Sequence, residues 1–348
     1  MKKARLLLLL VLALPPGARG ETIYAVTGSS GYPSDFALLR FDSASPGVMQ
    51  RIVPITGDLW GTEASLELDP TDGTLYAFAF WQCQVLCPYE PVRPFILDPE
   101  TGASSSADWP GLPFTEGWAS DKDIHPLTHE LRFFGPGNQN YRYSLDTLDL
   151  HVDAPLDYPG SGYAIAHSPG GLDGMGIETF ALGYPTEPGD DLYLLRIGGP
   201  GGKPSANSGE VTVIGPVDAR GGVRGFDISS SGAAYFSTHE YAYGSGDVSR
   251  LYSVDLQSGA TQELGEIAVP GWTSITGIAV APLGPGVVEI PALSRTGLAA
   301  LALLVTSVAL RRFAAPSSGS APRLHGAVEL QSELSPLAKP SAKSRVEG

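Results

Sequence analysis

The chain reads as an all-β protein: a five-bladed β-propeller closed by its N-terminal strand, plus one C-terminal transmembrane helix. Three observations predict the ring: a phrase recurring about every fifty residues, a hairpin phrase alternating with it, and a half-copy displaced to the opposite end. The first phrase is an apolar or aromatic run, ending mostly in Asp before a Ser/Thr-Gly type of turn. It reads Leu38-Leu39-Arg40-Phe41-Asp42, Pro94-Phe95-Ile96-Leu97-Asp98, Tyr141 to Asp146, Leu192-Tyr193-Leu194-Leu195-Arg196 and Leu251-Tyr252-Ser253-Val254-Asp255. Its final positions fall 56, 48, 50 and 59 residues apart (98−42, 146−98, 196−146, 255−196). That period suits blades made of strands and turns.

The second phrase is clearest at Leu66 to Ala77, where two alternating runs flank Asp72-Gly73. Period-two alternation on both sides of Asp-Gly is a strong hairpin signal. Relatives run from Asp123-Ile124-His125-Pro126 to Phe134, from Gly225-Phe226-Asp227-Ile228 to Phe236, and, degraded, from Ala164 through Pro169 to Phe180. The fifth copy, Thr276-Gly277-Ile278-Ala279-Val280, lacks its second strand. Thr22-Ile23-Tyr24-Ala25-Val26 matches Thr74-Leu75-Tyr76-Ala77-Phe78 position for position and supplies it. Ile23 to Val26 is therefore expected beside Gly277 to Val280, so that no long sheet edge stays unpaired.

Composition agrees with short strands. Forty-three Gly and thirty Pro, with turn clusters every dozen residues, oppose long helices. Between Glu21 and Val288 there are 33 acidic and 11 basic residues, a formal net of −22 (11−33) with His neutral. Such a field repels phosphate backbones and so excludes nucleic acid as a partner.

Both ends carry targeting signals. Lys2, Lys3 and Arg5 precede Leu6 to Leu14 and Ala18-Arg19-Gly20, so residues 1–20 read as a secretory signal peptide. Residues 21–284 then form the propeller ectodomain. Thr296 to Leu310 is uncharged and precedes Arg311-Arg312. Those fifteen residues cover only about 22 Å of a roughly 30 Å hydrocarbon core, so the span reaches back to Ile290 with Arg295 snorkelling. The basic pair favours a cytoplasmic C-terminus. Ile290-Pro291-Ala292-Leu293-Ser294, then Gly297, a Leu/Ala-rich run and Arg311-Arg312, resembles the bacterial IPTL-CTERM sorting signal. It departs in having Ala292 where Thr is usual and in the tail that follows. The resemblance implies retention at the inner membrane, recognition by a sorting transpeptidase, and passage to the cell surface or exterior. Residues 285–312 thus hold the sorting motif, helix and basic stop. Residues 313–348, rich in Ser, Pro and Ala, read as disordered.

The span from Tyr24 to Val280 also resembles an exported bacterial propeller-like domain of unknown function. The shared elements are the Leu-Tyr-x-x-Asp phrase, Ile55-Thr56-Gly57, and Gly137-Asn138-Gln139-Asn140-Tyr141-Arg142. That family carries no assigned activity, so the resemblance implies fold and no reaction. Cys83 and Cys87 are expected to form a small-loop disulfide in the oxidising compartment that export implies.

Chemistry is harder to read. Asn138, Gln139, Asn140 and Arg142 form the best binding candidate, because amides and a guanidinium together suit sugars or carboxylates. A hydrogen-bond network between blades explains the same residues. Trp60, Trp81, Trp109 and Trp118 suit sugar stacking or the plugging of gaps between blades. Asp69 and Asp72-Gly73 suit a turn, not a calcium loop, and the histidines lack metal-motif spacing. No cofactor is expected, although Ca2+ in the central channel stays open. No nucleophile elbow or catalytic constellation is legible. The favoured reading is a non-catalytic binding or scaffold propeller for a glycan or protein. A hydrolase or lyase acting on polysaccharide or lactone, and a purely structural envelope component, are the alternatives.

Overall fold

The computed structural model describes residues 20–28, 36–59, 63–80, 92–107, 109, 112, 121–170, 176–185, 191–242, 246–269 and 274–282. Residues 1–19, Trp60, Trp81, Cys83, Cys87, Trp118 and everything from 283 onward, including the sorting motif and Arg311-Arg312, lie outside them.

Period-two patterning becomes antiparallel meanders. The first comprises β1 (Thr22–Gly28), β2 (Ala37–Asp42) and β3 (Met49–Pro54), with β4 (Thr56–Gly57) leaving it at once. The second sheet contains β5 (Glu63–Leu68), β6 (Leu75–Phe80), β7 (Arg93–Leu97) and β8 (Ala103–Ser106). The third contains β9 (Asp123–Ile124), β10 (Glu130–Gly135), β11 (Gln139–Ser144) and β12 (Leu150–Val152). The fourth follows with β13 (Ser161–His167), β14 (Thr179–Tyr184), β15 (Leu192–Ile197) and β16 (Val211–Val217). The fifth has β17 (Gly222–Ile228), β18 (Ala234–Ala242), β19 (Gly246–Val254) and β20 (Thr261–Glu266). The last strand, β21 (Ser274–Val280), returns to complete the first sheet in the order β21-β1-β2-β3.

The closing register is the expected one. Ile23 faces Val280, Tyr24 faces Ala279, Ala25 faces Ile278 and Val26 faces Gly277. The innermost strands β21, β5, β9, β13 and β17 contact one another in sequence and return to the start, so five blades form a ring. Each recurring phrase is the third strand of its blade. Its terminal Asp has a local duty: Asp42, Asp98 and Asp255 each accept the backbone N–H two residues on, at 2.8, 2.7 and 2.9 Å.

Five apolar clusters fill the gaps between adjacent blades. Ile23, Phe41 and Ile278 meet Tyr235 and Leu251 between the fifth and first blades. Val26 and Leu38 meet Leu66 and Phe95 between the first and second. Phe78 meets Leu131, Phe134 meets Ile165, and Phe180 meets Phe226 across the remaining three. Each such buried side chain contributes roughly 1.5–3 kcal/mol.

One feature departs from five blades of four strands. β4 pairs in parallel with β8, Thr56 beside Ala103 and Gly57 beside Ser104, giving the second sheet a fifth strand. The Ile55-Thr56-Gly57 element is therefore a strap from the first blade onto the outer edge of the second. Gly57 has φ +100°, and a Cβ there would sit 2.2 Å from the Ser104 carbonyl, so only glycine fits.

Ala25→Pro tests the closure. Ala25 lies in β1 between two paired neighbours, where proline removes a ladder donor. Thermal melts should show a loss of ~3 kcal/mol, and a melting curve like that of the parent would contradict a ring held by this strand.

Candidate functional site

Alignment of the innermost strands on the residues that follow them (Pro70, Pro126, Pro169, Ser230, Pro282) puts Glu67, Asp123, Ala166, Asp227 and Ala279 at one position. Three of the five are carboxylates; Glu67 and Asp123 are buried and Asp227 is half-buried. Asp123 of the third blade accepts the His167 backbone N–H of the fourth, and His167 Nδ1 lies 2.9 Å from the same oxygen. Asp227 of the fifth blade accepts the Val280 N–H of the first at 2.5 Å. These are equivalent staples between consecutive blades, and the second of them anchors the closing strand. Asp121 reaches past the fourth blade to accept the Phe226 N–H of the fifth at 2.6 Å.

Glu67, one methylene longer, makes no such staple. Its Oε1 and the Asp121 Oδ1 are buried with no hydrogen-bond partner among the described residues. Lys122 carries the nearby positive charge, its Nζ 3.3 Å from Ser65 Oγ and 5.5 Å from the centre of the Phe78 ring. Four carboxylates thus crowd one region of the interior with one ammonium, and they cannot all be ionised there. Burial pushes Asp123 and Asp227 up to about 8, with Asp123 adding to the effect on Asp227. Burial, then the neighbouring carboxylates, holds Glu67 and Asp121 well above the ordinary range, while burial pulls Lys122 down to about 8. At neutral pH this cluster stores protons.

Asn138, Gln139, Asn140 and Arg142 do come together, as part of the seam between the third and fourth blades. Asn140 is fully buried, accepts from Arg132 Nη1 at 2.6 Å and donates to the Ala206 carbonyl at 2.9 Å. Arg132 also meets Asp153 at 3.1 Å and Asn207. Arg142 is bidentate on Asp153 (2.7 and 2.9 Å) and reaches Glu130 at 2.6 Å. Asn138, at φ +62°, donates to the Tyr158 carbonyl at 2.6 Å. Only Gln139 is exposed, and it contacts Tyr141. Asn140 and Arg132 tie the third blade to the fourth, while the Arg142 guanidinium is engaged within the third blade.

The other described candidates make contacts within and between blades. Trp109 packs between blades, 4.9 Å from Tyr76 and 6.3 Å from Tyr143. Asp69 Oδ1 accepts the Thr71 N–H at 2.8 Å, and Gly73 takes φ +79°, which is turn chemistry. The other Asp69 oxygen meets His129 Nε2 at 2.6 Å, while His129 Nδ1 meets Asp146 at 2.7 Å, clamping the second blade to the third. His125 and His167 touch edge to face at 5.0 Å, and His239 sits 3.2 Å from Asp247. Among the described residues no three His, Cys, Asp or Glu side chains are placed to hold a metal ion.

Among the described residues a cleft of about 880 Å³ opens between the fourth and fifth blades. Ser168, Glu178, Phe180, Arg196 and Pro200 form one wall, and Gly232 to Ala234 with segments 253–257 and 260–262 form the other. Arg196 Nε lies 3.2 Å from Glu178 Oε1, and the guanidinium sits 5.9 Å from the Phe180 ring centre. No histidine or cysteine lines it. Neither the cleft nor the buried carboxylates were singled out from sequence. The aligned Glu67, Asp123 and Asp227 were a usable signal, whereas nothing local marks Asp121.

No family model matches the chain, and no curated protein matches it. Among solved structures it resembles two proteins described as a "putative 6-phosphogluconolactonase". The one from Bacteroides uniformis is 13% identical with a TM-score of 0.39, covering 72% of this chain and 83% of the other. The one from Bacteroides fragilis is 12% identical with a TM-score of 0.35, covering 77% and 99%. At these values neither bears on the chemistry of this chain.

Two tests follow from the geometry. The raised carboxylates contribute stability that is complete below their unfolded pKa near ~4 and lost as pH rises through the folded value. His125 and His167, which burial holds down to about 4 and 3, lose their contribution as pH falls below 6.5. The two sets oppose each other on the acid side, and the carboxylates act unopposed from about pH 6.5 until Lys122 begins to lose its proton at about 8. The melting temperature should fall across that window. Glu67→Gln should flatten the fall, raising it at pH 8 by about 2–4 °C, the effect of ~1 kcal/mol in a domain of this size; an unchanged slope would refute the proton store. At the seam, Asn140→Ala should cost ~1–3 kcal/mol by orphaning Arg132 and the Ala206 carbonyl, while Gln139→Ala stays within about 0.5 kcal/mol of the parent.

Proposed function

We propose that this chain is exported, held at the cell envelope, and works as a non-catalytic binding or scaffold propeller. Export and tethering rest on the sequence of residues 1–20 and 285–312. Ile290 to Ser294 would be the stretch that a sorting transpeptidase recognises, placing the propeller in the periplasm or, after processing, at the surface.

The observation that carries the binding reading is how the polar side chains divide. Buried Asp121, Asp123, Asn140 and Arg132 and half-buried Asp227 are tied into contacts between blades, while the described cleft is lined by hydroxyls, amides, apolar groups, two carboxylates and one guanidinium. A nucleophile needs an activating base within hydrogen-bond reach; the lining contains no histidine, and its two carboxylates are engaged, Glu178 beside Arg196 and Asp255 by its own turn. Such a surface suits reversible recognition of a glycan or a protein.

The purified protein should bind envelope polysaccharide or protein fractions on a sensor surface and leave them chemically unchanged. Metal-dependent or metal-free turnover of a polysaccharide or lactone library would replace the scaffold with an enzyme. A reporter that works only in the cytoplasm, fused after Val288, should stay dark; a bright reporter would reverse the orientation.

A further inference from the structure

We infer that the cleft between the fourth and fifth blades is a binding site for an uncharged, hydroxyl-rich oligosaccharide. This rests on the binding reading above and names its site and ligand class.

Size comes first. At about 880 Å³ the cleft stands near the upper end of the range for small-molecule sites, ~300–1,000 Å³. It has room for more than one sugar ring. Both walls belong to rigid β structure or to turns tied down by their own hydrogen bonds, so little ordering is needed on binding. On the fifth-blade wall, Asp255 accepts the N–H groups of Gln257 and Ser258, both at 2.9 Å, and the Ser258 hydroxyl at 2.9 Å. On the fourth-blade wall, Glu178 accepts the Gly201 N–H at 3.1 Å and neighbours Arg196.

The lining then sets the chemistry. Gln257 and Gln262 are exposed side-chain amides, each able to donate and accept, and Ser168, Ser253 and Thr261 add hydroxyls. Neighbouring sugar hydroxyls need that mixture of donors and acceptors. Pro200, Ala233, Leu256 and Ala260 supply apolar contact for the C–H faces of a ring.

Charge decides between ligand classes. The cleft holds two carboxylates, Glu178 and Asp255, and one guanidinium, a formal balance of −1 (1−2). The guanidinium is already beside Glu178. Asp255 is kept ionised by the Ser258 hydroxyl and the turn N–H groups it accepts. With the propeller region at −22 (11−33), a sugar phosphate or uronate would meet repulsion and find no unpaired cation in the lining. A neutral chain avoids that penalty.

The experiment uses the full-length protein in detergent against an array of neutral, uronate and phosphorylated oligosaccharides, followed by calorimetry on the hits. Hits should be neutral. Gln257→Ala combined with Gln262→Ala should weaken them at least tenfold at an unchanged melting temperature, whereas Gln139→Ala on the third blade should leave them alone. Neutral hits that survive the double substitution would overturn this site while leaving the binding module intact. Hits confined to acidic sugars would overturn the ligand class. Capture of a protein with no glycan hit would overturn the whole inference but not the module, and turnover of any sugar would overturn the module itself.

Discussion

The antiparallel pairing of the first and last strands is the constraint on which everything else depends. A blade of three strands would expose its inner apolar residues and leave β1 an open edge. β21 covers both, and it brings Ile275, Ile278 and Val280 against the fifth blade. Once that strand is in place the five gaps between blades are equivalent, each sealed by an apolar cluster. The cost is entropic: the contact closes a loop of about 250 residues, and that cost grows only slowly with length. Buried surface at a closed ring offsets it.

Closure also explains where the buried charge lies. Five innermost strands converge, and their backbone N–H groups at the crowded end face neighbouring blades instead of a partner strand. A short carboxylate at the right register satisfies them, as Asp123 and Asp227 do. The same convergence gathers acids from distant parts of the chain into one interior region, where burial makes ionisation unfavourable. Stability and proton uptake are thereby linked through one set of side chains, and the residues that join the blades are poorly suited to binding a ligand from solution.

Function is left to the surfaces that the staples do not consume. The seam around Arg132, Asn140 and Arg142 has the polar composition of a binding site, yet each group is matched by a carboxylate, an amide or a carbonyl of an adjacent strand or turn. The cleft beside the fifth blade has a more ordinary composition, and its amides are exposed. Residue type marks the first of these places and not the second; accessibility separates them.

The sequence by itself determined the repeat, the blade count and the closing register, because a two-residue period and Asp-centred turns are local properties that recur wherever a blade recurs. Even the register between Ile23 and Val280 followed, since a displaced half-copy has one place to go. It also carried the negative charge. Tertiary structure alone decided that Thr56-Gly57 straps onto the second blade, that Asp121 reaches a strand 105 residues away, and that Asn140 is buried while Gln257 is not. Those outcomes depend on which strands converge and which turns stay open, and neighbouring residues in the chain carry no record of that.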